Sequence, residues 1–136
     1  KGRRKMKISN FQFTTPMLMK FDYDVNNDFK HTDTEIEMEV HLDVNVNRLD
    51  NKNEAIVELY IQIGEEDGTT PFCIKVIEGA RFKWDDGEYS ESDINNLLHK
   101  NAPSLLLSYV RPIIASVTSM TPFDTYKLPF INFNDN

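Results

Sequence analysis

The chain has 136 residues, of which 40% are hydrophobic and 27% charged, and its net charge is −7. This length and composition are typical of one globular domain, so we expect a single domain over residues 1–136. No apolar run reaches the roughly 20 residues that a membrane-spanning helix needs. The acidic balance disfavours nucleic acid, whose phosphates it repels, and favours basic partners.

The first seven residues are strongly basic and contain no acid. Their basic members are Lys1, Arg3, Arg4, Lys5 and Lys7. No apolar stretch follows, so we expect a solvated, disordered tail and no secretory signal peptide. Cys73 is the single cysteine, which rules out a disulfide within one chain and suits a reducing compartment. We therefore expect the protein to be cytoplasmic.

The first predicted strand, residues 5–24, is rich in large apolar side chains. They are Ile8, Phe11, Phe13, Met17, Leu18, Met19, Phe21 and Tyr23. Pro16 lacks a backbone donor, so we expect a bulge, bend or edge position there. Methionine is flexible and polarisable, and it recurs on surfaces that accept many partner sequences. The strand is therefore a candidate binding surface, although the same side chains would also suit a core.

Three further strands follow. Residues 34–47 alternate strictly between apolar and polar side chains, which predicts a strand with one buried and one wet face. The apolar positions are Ile36, Met38, Val40, Leu42, Val44 and Val46. Residues 54–63 and 72–82 are the third and fourth strands. The tight polar connection between them predicts a β-hairpin.

The last third of the chain is predicted to be helical. Ser90 and Asp93 resemble a capping box that opens a short helix over residues 91–99. A long helix then begins at Asn101 or Ala102, with Pro103 in its first turn, and should kink at Pro112.

Apolar residues follow one another along the long helix at steps of three and four. They are Leu106, Tyr109, Val110, Ile113, Val117 and Met120, with Leu105, Leu107 and Ile114 on the flanks. A helix that is apolar on most of its circumference is covered on more than one side. We therefore expect the long helix to contact another subunit.

Strands precede helices, which is the α+β pattern. The predicted fold is a four-stranded antiparallel sheet, followed by a short and a long helix packed on one face.

Residue patterns that carry chemistry are absent from the sequence. His31, His41 and His99 lie far apart and have no cysteine or histidine at ligand spacing. Cys73 falls inside a predicted strand, and no glycine-rich phosphate loop is present. We therefore expect no enzymatic activity, no metal and no cofactor.

Residues 101–133 resemble the C-terminal signature of the SecB family of protein-export chaperones. That family has a helix start of the NAP type, a long helix, a break and a closing LP-x-x-NF segment, which here is LPFINF at residues 128–133. Residues 39–44 and 72–76 resemble the family's second and fourth strands. The similarity covers Ile36 to Phe133.

The resemblance implies an ATP-independent holdase that keeps unfolded or pre-secretory polypeptides in exposed apolar grooves for export. It also implies a homotetramer assembled as a dimer of dimers. The side chains expected to bind clients are Phe13, Met17, Met19, Phe21, Ile36, Leu42, Val44, Phe123, Tyr126, Phe130 and Phe133. Ile36 stands where the family has a tryptophan in its crossover loop.

Alternating positions of the family's fourth strand control assembly. They match Ile74, Val76 and Glu78, and the long helix adds Tyr109, Ile113 and Val117 to the expected oligomer interface. The positions that dock the translocase motor match Asp22, Cys73 and Lys75. Lys75 reverses the charge that the family has there, which counts against motor docking.

Three alternatives remain open from the sequence. The first is a dedicated chaperone for one partner, such as the antitoxin of a toxin–antitoxin system. The second is a carrier of a small apolar ligand in a groove between sheet and helix. The third is an interaction module within a larger assembly.

Overall fold

The structure is a computed structural model that describes residues 11–29, 37–50, 53–123 and 125–133. The strands are β1 (Gln12–Phe13), β2 (Met17–Val25), β3 (Val40–Arg48), β4 (Glu54–Ile63) and β5 (Phe72–Lys83). The helical part consists of α1 (Glu91–Asn96), a π-helical turn (Leu97–Asn101) and α2 (Ala102–Thr118). The predicted α+β class, with the strands before the helices, is confirmed.

The antiparallel sheet has β5 and β4 at its centre and β3 beside β4. β1 and β2 both pair with β5, one after the other along the same edge. The prediction of four strands is therefore corrected to five, because residues 14–16 interrupt the first one. Pro16 cannot donate to the ladder, and the Thr14 N–H, at 2.9 Å from the Arg81 oxygen, keeps the connection beside β5. Residues 5–10 of the predicted first strand lie outside the described residues.

The other predicted strands differ only at their ends. β3 begins at Val40, since residues 37–39 are not in a strand and residues 34–36 lie outside the described ones. The predicted hairpin of β4 and β5 is confirmed. Gly64, at its turn, has a φ of +81°, and a Cβ there would lie 2.2 Å from the Phe72 carbonyl oxygen. Only glycine fits this turn without strain.

The helical part is one continuous run. The predicted capping box is confirmed, since Asp93 N–H donates to Ser90 Oγ (3.1 Å) and Ser90 N–H to Asp93 Oδ2 (3.4 Å). The predicted start of the long helix agrees with the first residue of α2, Ala102, but no cap separates it from the preceding turn. Asn101 has helical angles (φ −75°, ψ −44°), and the Ala102 N–H bonds to the Leu97 oxygen, five residues back. The π-helical turn thus carries α1 directly into α2.

The core lies between one face of the sheet and α2. Alternate residues of the central strands supply it, because side chains one residue apart point to opposite faces. They are Ala55, Val57, Leu59, Ile61 and Ile63 of β4 and Phe72, Ile74, Val76, Ala80 and Phe82 of β5. α2 packs mainly on β4 and β5, whereas β3 meets the π-helical turn. The helix layer is therefore centred on the two middle strands.

Candidate polypeptide-binding surface

The edge of the sheet formed by β2 carries large apolar side chains in contact with solvent. Met17, Leu18, Met19 and Val25 are 66%, 42%, 54% and 47% exposed. β2 pairs with β5 on one side, and no strand in the described part of the chain pairs with its other side. An unpaired edge presents backbone donors and acceptors to an added strand. β2 therefore offers a backbone ladder and apolar side chains together.

Met19 owes its position to a bulge. The register of β2 against β5 shifts between Leu18 and Lys20, which leaves Met19 as the extra residue. Its side chain lies over Gly79, where an added Cβ would be 2.9 Å from Met19 Sδ. A bulge can re-aim a side chain in this way. The bulge and Gly79 together hold Met19 on the sheet face opposite α2.

The other residues predicted for this edge are divided between surface and core. Phe13 on β1 is 45% exposed, and its ring centroid lies 6.1 Å from that of Phe82. Phe21 is half-buried and packs against the core, opposite Val76. Ile36 lies outside the described residues. The exposed surface at this edge is therefore formed by Phe13 and the methionines, with Leu18 and Val25.

A second apolar depression lies where β3 meets the C-terminal segment. It is a cavity of about 390 Å³ lined by apolar and polar residues: Leu42, Asp43, Val44, His99, Ile131, Asn132 and Phe133. Leu42 and Val44 are only half-buried, since α2 packs mainly on the neighbouring strands. The fold thus brings Leu42, Val44 and Phe133, three of the predicted client-binding residues, around one cavity.

The segment after α2 is attached both in the core and nearer the surface. The Tyr126 N–H donates to Thr118 Oγ1 (2.8 Å), whose own hydroxyl donates to the Ile114 oxygen (2.8 Å). Burial raises the pKa of Tyr126, and Leu128 reaches the core. Before Tyr126, the contact lies closer to the surface. Phe123, also predicted to bind clients, is half-buried with its ring centroid 6.1 Å from that of Phe72.

Arg111 of α2 holds the end of this segment. Its Nη2 donates to the Pro129 oxygen (2.8 Å), and its guanidinium carbon lies 4.1 Å from the centre of the Phe130 ring. Phe130 is nevertheless 92% exposed. Of the predicted client-binding residues here, Phe130 is free to meet a partner, whereas Phe123 and Tyr126 are partly covered.

α2 has two apolar stripes, where the sequence indicated one face. Leu106, Val110 and Ile114 are buried against the sheet. Tyr109, Ile113 and Val117 form the second stripe and are half-buried or exposed. Leu106 and Val110 of the predicted face share the core side with Ile114, whereas Tyr109 and Ile113 lie outside it. The outer stripe is the part of the predicted oligomer interface that another subunit can reach.

The β5 residues predicted for the same interface point into the core. Ile74, Val76 and Glu78 lie on the face that α2 covers, and each is at most 2% exposed. Glu78 Oε1 has no hydrogen-bond partner among the described residues. Burial raises the pKa of Glu78, because desolvation disfavours the charged carboxylate. Any effect of these residues on assembly would therefore act through α2.

The residues predicted for motor docking lie on the opposite face. Asp22 stands next to Lys75 in the register of β2 and β5, and its carboxylate is 3.3 Å from Lys20 Nζ. Lys75 forms an ion pair with Glu66. Cys73 is buried, and burial raises the pKa of its thiol. The structure brings Asp22 and Lys75 together, whereas the buried Cys73 has little exposed surface that could contact a partner.

A cluster that the sequence analysis missed lies at the turn between β4 and β5. His41 Nε2 is 2.8 Å from Glu65 Oε1 and 3.7 Å from Glu39 Oε2, and one ligand atom of each residue lies within 4.8 Å of the others. Such a donor set suits a divalent cation. The hydrogen bond to Glu65 is the main reason that the pKa of His41 is raised. A separation of 24 residues hid Glu65 from the sequence pattern.

Three more surface residues were absent from the predicted client-binding set: Leu18 and Val25 at the β2 edge, and Ile131 at the β3 cavity. Leu18 and Ile131 are apolar neighbours of predicted residues, which was the available signal. None of the helices in the described ranges is both long and apolar enough to cross a membrane.

Comparison with known proteins was made at the levels of sequence and structure. The family described as preprotein translocase subunit SecB matches residues 19–135. No curated protein matches the sequence. Among solved structures, the Mycobacterium tuberculosis Rv1957 SecB-like chaperone, in complex with a ChAD peptide from the Rv1956 HigA1 antitoxin, is similar with a TM-score of 0.72 and 12% identity. That match covers 89% of this chain and 90% of the other.

A protein of unknown function from Streptococcus agalactiae gives a TM-score of 0.47 and 18% identity, covering 88% of this chain and 97% of that one. The SecB match spans most of the sequence, and the similarity to the mycobacterial chaperone confirms the SecB-like fold. The chain therefore belongs to the SecB family.

Proposed function

We propose that the chain, acting as one domain over residues 1–136, is an ATP-independent holdase for extended, non-native polypeptides. The observation that carries this proposal is the edge of β2, which no strand of the described residues pairs. Met17 and Met19 are exposed there on the face opposite α2, and Leu18 and Val25 are exposed on the other face. Such an apolar edge invites association with other chains, and soluble proteins usually blunt it. We therefore infer that this exposed apolar edge serves to bind other polypeptide chains.

Binding there would combine two weak, sequence-tolerant interactions. An extended client can add a strand to the edge, since main-chain hydrogen bonds give affinity whatever the client's side chains are. Methionines adapt to different side chains of the client. Fully burying one such side chain stabilises a complex by about 1.5–3 kcal/mol. Several partial contacts therefore hold a client without a catalytic step, a nucleotide or a metal, and we propose that the protein uses none of these.

The charge of the chain supports a preference for basic clients. Its net charge is −7, and Asp43, Asp22 and Asp24 lie near the two apolar surfaces. Complementary charge speeds encounter and rejects wrong partners more than it adds affinity. We expect added salt to slow capture of a basic unfolded client more than to weaken the final complex.

We also propose that the protein is a homo-oligomer, a dimer or a dimer of dimers, with the outer stripe of α2 at one interface. Tyr109, Ile113 and Val117 present an apolar row that the described part of the chain leaves partly open. The substitution Ile113→Asp should lower the molar mass measured by light scattering, because it places a charge in that row. A mass equal to that of wild type would exclude this stripe from the interface.

Two kinds of client fit a cytoplasmic chaperone of this family. Pre-secretory polypeptides are the first, as the family description suggests. A dedicated antitoxin client is the second, since the mycobacterial relative is bound to a peptide from an antitoxin. The buried Cys73 and the Lys75–Glu66 ion pair favour the second, because the motor-docking face lacks its expected acidic pattern. A carrier of small ligands is less favoured, since the β3 cavity mixes apolar with charged lining.

The test is protection of an unfolded client from aggregation, without ATP, at equal molar concentrations of client and chain. We expect wild type to delay light scattering by the client. The double substitution Met17→Ser with Met19→Ser should weaken protection, because it removes apolar side chains from the β2 edge. Met120→Ser is the matched control, since Met120 is 76% exposed but lies beyond the end of α2.

Absence of protection by wild type would refute the holdase proposal. Equal loss of protection in the double variant and the control would instead exclude the β2 edge as the binding surface. To separate the two classes of client, the purified chain is offered an unfolded preprotein and an antitoxin segment. Protection of both supports general holding, whereas capture of one segment alone supports a dedicated chaperone.

A further inference from the structure

The last described residues, 129–133, form a short segment outside helices and strands that we call the strap. Its sequence is PFINF, with apolar side chains at four of its positions, and it has no helix or strand. An apolar segment without helix or strand is also what the proposed function requires of a client. The strap therefore resembles the polypeptides that this protein is proposed to hold, in composition and in its lack of regular secondary structure.

The strap lies against side chains that are predicted to bind clients. Ile131 and Phe133 share one cavity with Leu42 and Val44 of β3. α2 packs mainly on β4 and β5, so the apolar face of β3 borders this cavity instead of the helix. A client that used Leu42 and Val44 would meet Ile131 and Phe133 in the same cavity.

The attachment of the strap differs from that of the residues just before it. Leu128 is buried in the core, and Tyr126 is fixed to the buried hydroxyl of Thr118. The strap itself is held at its start by Arg111, through the Pro129 oxygen and the exposed Phe130 ring. Cation–π contacts at exposed sites are weak. Ile131 and Phe133 of the strap are only partly buried against the edge of the core. The chain is thus most firmly anchored up to Leu128, and the strap is the part that we expect to leave first.

We infer that the strap is an intramolecular competitor, which occupies the β3 side of the binding surface until an extended apolar polypeptide displaces it. This inference rests on the proposed function. When a site is open only part of the time, the apparent affinity falls by the open fraction. Arg111 then contributes to this fraction, because it holds the start of the strap in the closed arrangement. The strap would exclude weakly binding chains and admit those that match the groove better.

The test measures the affinity of a fluorescein-labelled, unstructured peptide of alternating apolar and basic residues, by fluorescence anisotropy. Arg111→Met should tighten binding by about three- to tenfold, since it releases the strap and raises the open fraction. A chain shortened after Pro129, which keeps Leu128 and its core contacts, should bind at least as tightly. Lys127→Met removes one positive charge beside the strap without touching Arg111, and should leave the affinity unchanged.

A competition experiment tests the strap directly. A synthetic peptide with the sequence of residues 127–133 should displace the labelled peptide from the shortened chain, because it restores the competitor from outside. Circular dichroism and the thermal midpoint establish that each variant is folded. Should the shortened chain be unstable, Arg111→Met and the wild-type chain still provide the comparison.

The possible results distinguish the inference from the function on which it rests. Unchanged affinity in Arg111→Met and in the shortened chain would overturn the competitor role and leave the proposed function intact. Weaker binding after shortening would also overturn it, since the strap would then be part of the client site. Failure of every variant to bind the labelled peptide would remove both proposals.

Discussion

The centre and the rim of the sheet use the same kinds of apolar side chain for different ends. In β4 every second residue is buried beneath α2, and Ala55, Val57, Leu59 and Ile63 are fully covered. In β2, at the rim, four large apolar residues remain at least two-fifths exposed. Both strands are extended and apolar, and both pair with β5. They differ in their cover, since α2 packs on β4 and leaves much of β2 exposed.

Position in the sheet thus decides whether an apolar residue stabilises the fold or remains available to a partner. Burial removes apolar area from water and favours folding by about 25 cal/mol for each Å². A methionine at the rim adds little to the stability of the fold, because it stays exposed. Its burial becomes favourable later, when a client covers it.

Removing one central side chain is expected to have the largest effect. Ile61→Ala should lower the free energy of unfolding by about 2–5 kcal/mol, because it leaves a cavity among Val76, Leu42 and the helix. Met17→Ala at the rim should change it by less than about 0.5 kcal/mol. Urea unfolding, followed by circular dichroism, measures both. A comparable loss for the two variants would mean that β2 is buried in the folded assembly.

The anchor of the C-terminal segment should come next. Thr118→Val keeps the shape of the side chain but removes the hydroxyl that accepts from Tyr126 and donates to Ile114. The unfolding free energy should fall by about 1–3 kcal/mol, because buried polar partners lose their hydrogen bonds. Ser116→Ala, on the exposed side of α2, is the control and should be nearly neutral. Unchanged stability in Thr118→Val would show that the segment is not anchored there.

Glu78 should produce a smaller effect that depends on pH. Its folded pKa is raised above the ordinary 4.5 by burial, so the folded state binds the proton more tightly than the unfolded state. The stability from this group is therefore complete below about pH 4.5 and is lost as pH rises through the folded pKa. Glu78→Gln should flatten this part of the profile and, at pH 7, raise stability by about 1 kcal/mol.

The comparison of wild type with Glu78→Gln at pH 4 and pH 7 checks this expectation in thermal unfolding. A difference that is the same at both pH values would mean that the carboxyl does not titrate in the range. Loss of stability at pH 7 would mean that the carboxylate has a partner in the assembled protein.

The titration of His41, in β3, should have the smallest effect on stability. The hydrogen bond to Glu65, and the nearby Glu39, raise the folded pKa of His41 above 6.5. Its contribution is thus present below pH 6.5 and is lost as pH rises through the folded pKa. In an NMR titration, Glu65→Gln should move the His41 pKa back toward its ordinary value, and Glu91→Gln, which affects Arg48 instead, should not. An unmoved pKa in Glu65→Gln would exclude that hydrogen bond in solution.

Elements with strong local patterns were predicted well. The strict alternation around Val40–Val46 and the apolar run of Glu54–Ile63 placed both strands and their buried faces. The Ser90–Asp93 pair placed the start of the helices. In each of these, neighbours in sequence carry the whole signal, because a period of two or a capping pair is local.

Other features depended on contacts between distant residues. The π-helical turn joined two helices that the sequence separated, and the core side of α2 takes in Leu107 and Ile114, which the sequence placed on the flanks. A helix with apolar residues on most sides does not indicate which side meets the sheet. The cavity around Leu42 and Phe133 likewise joins residues 91 positions apart, and no local pattern could pair them.

The sequence by itself determined the order of the elements, the alternation of their faces and the presence of several methionines in the first strand. These follow from backbone geometry and side-chain chemistry, which act over a few residues. Only the tertiary structure decided which apolar residues are covered. That outcome depends on where α2, the edge of β2 and the strap come to lie, and on how much surface one helix can bury.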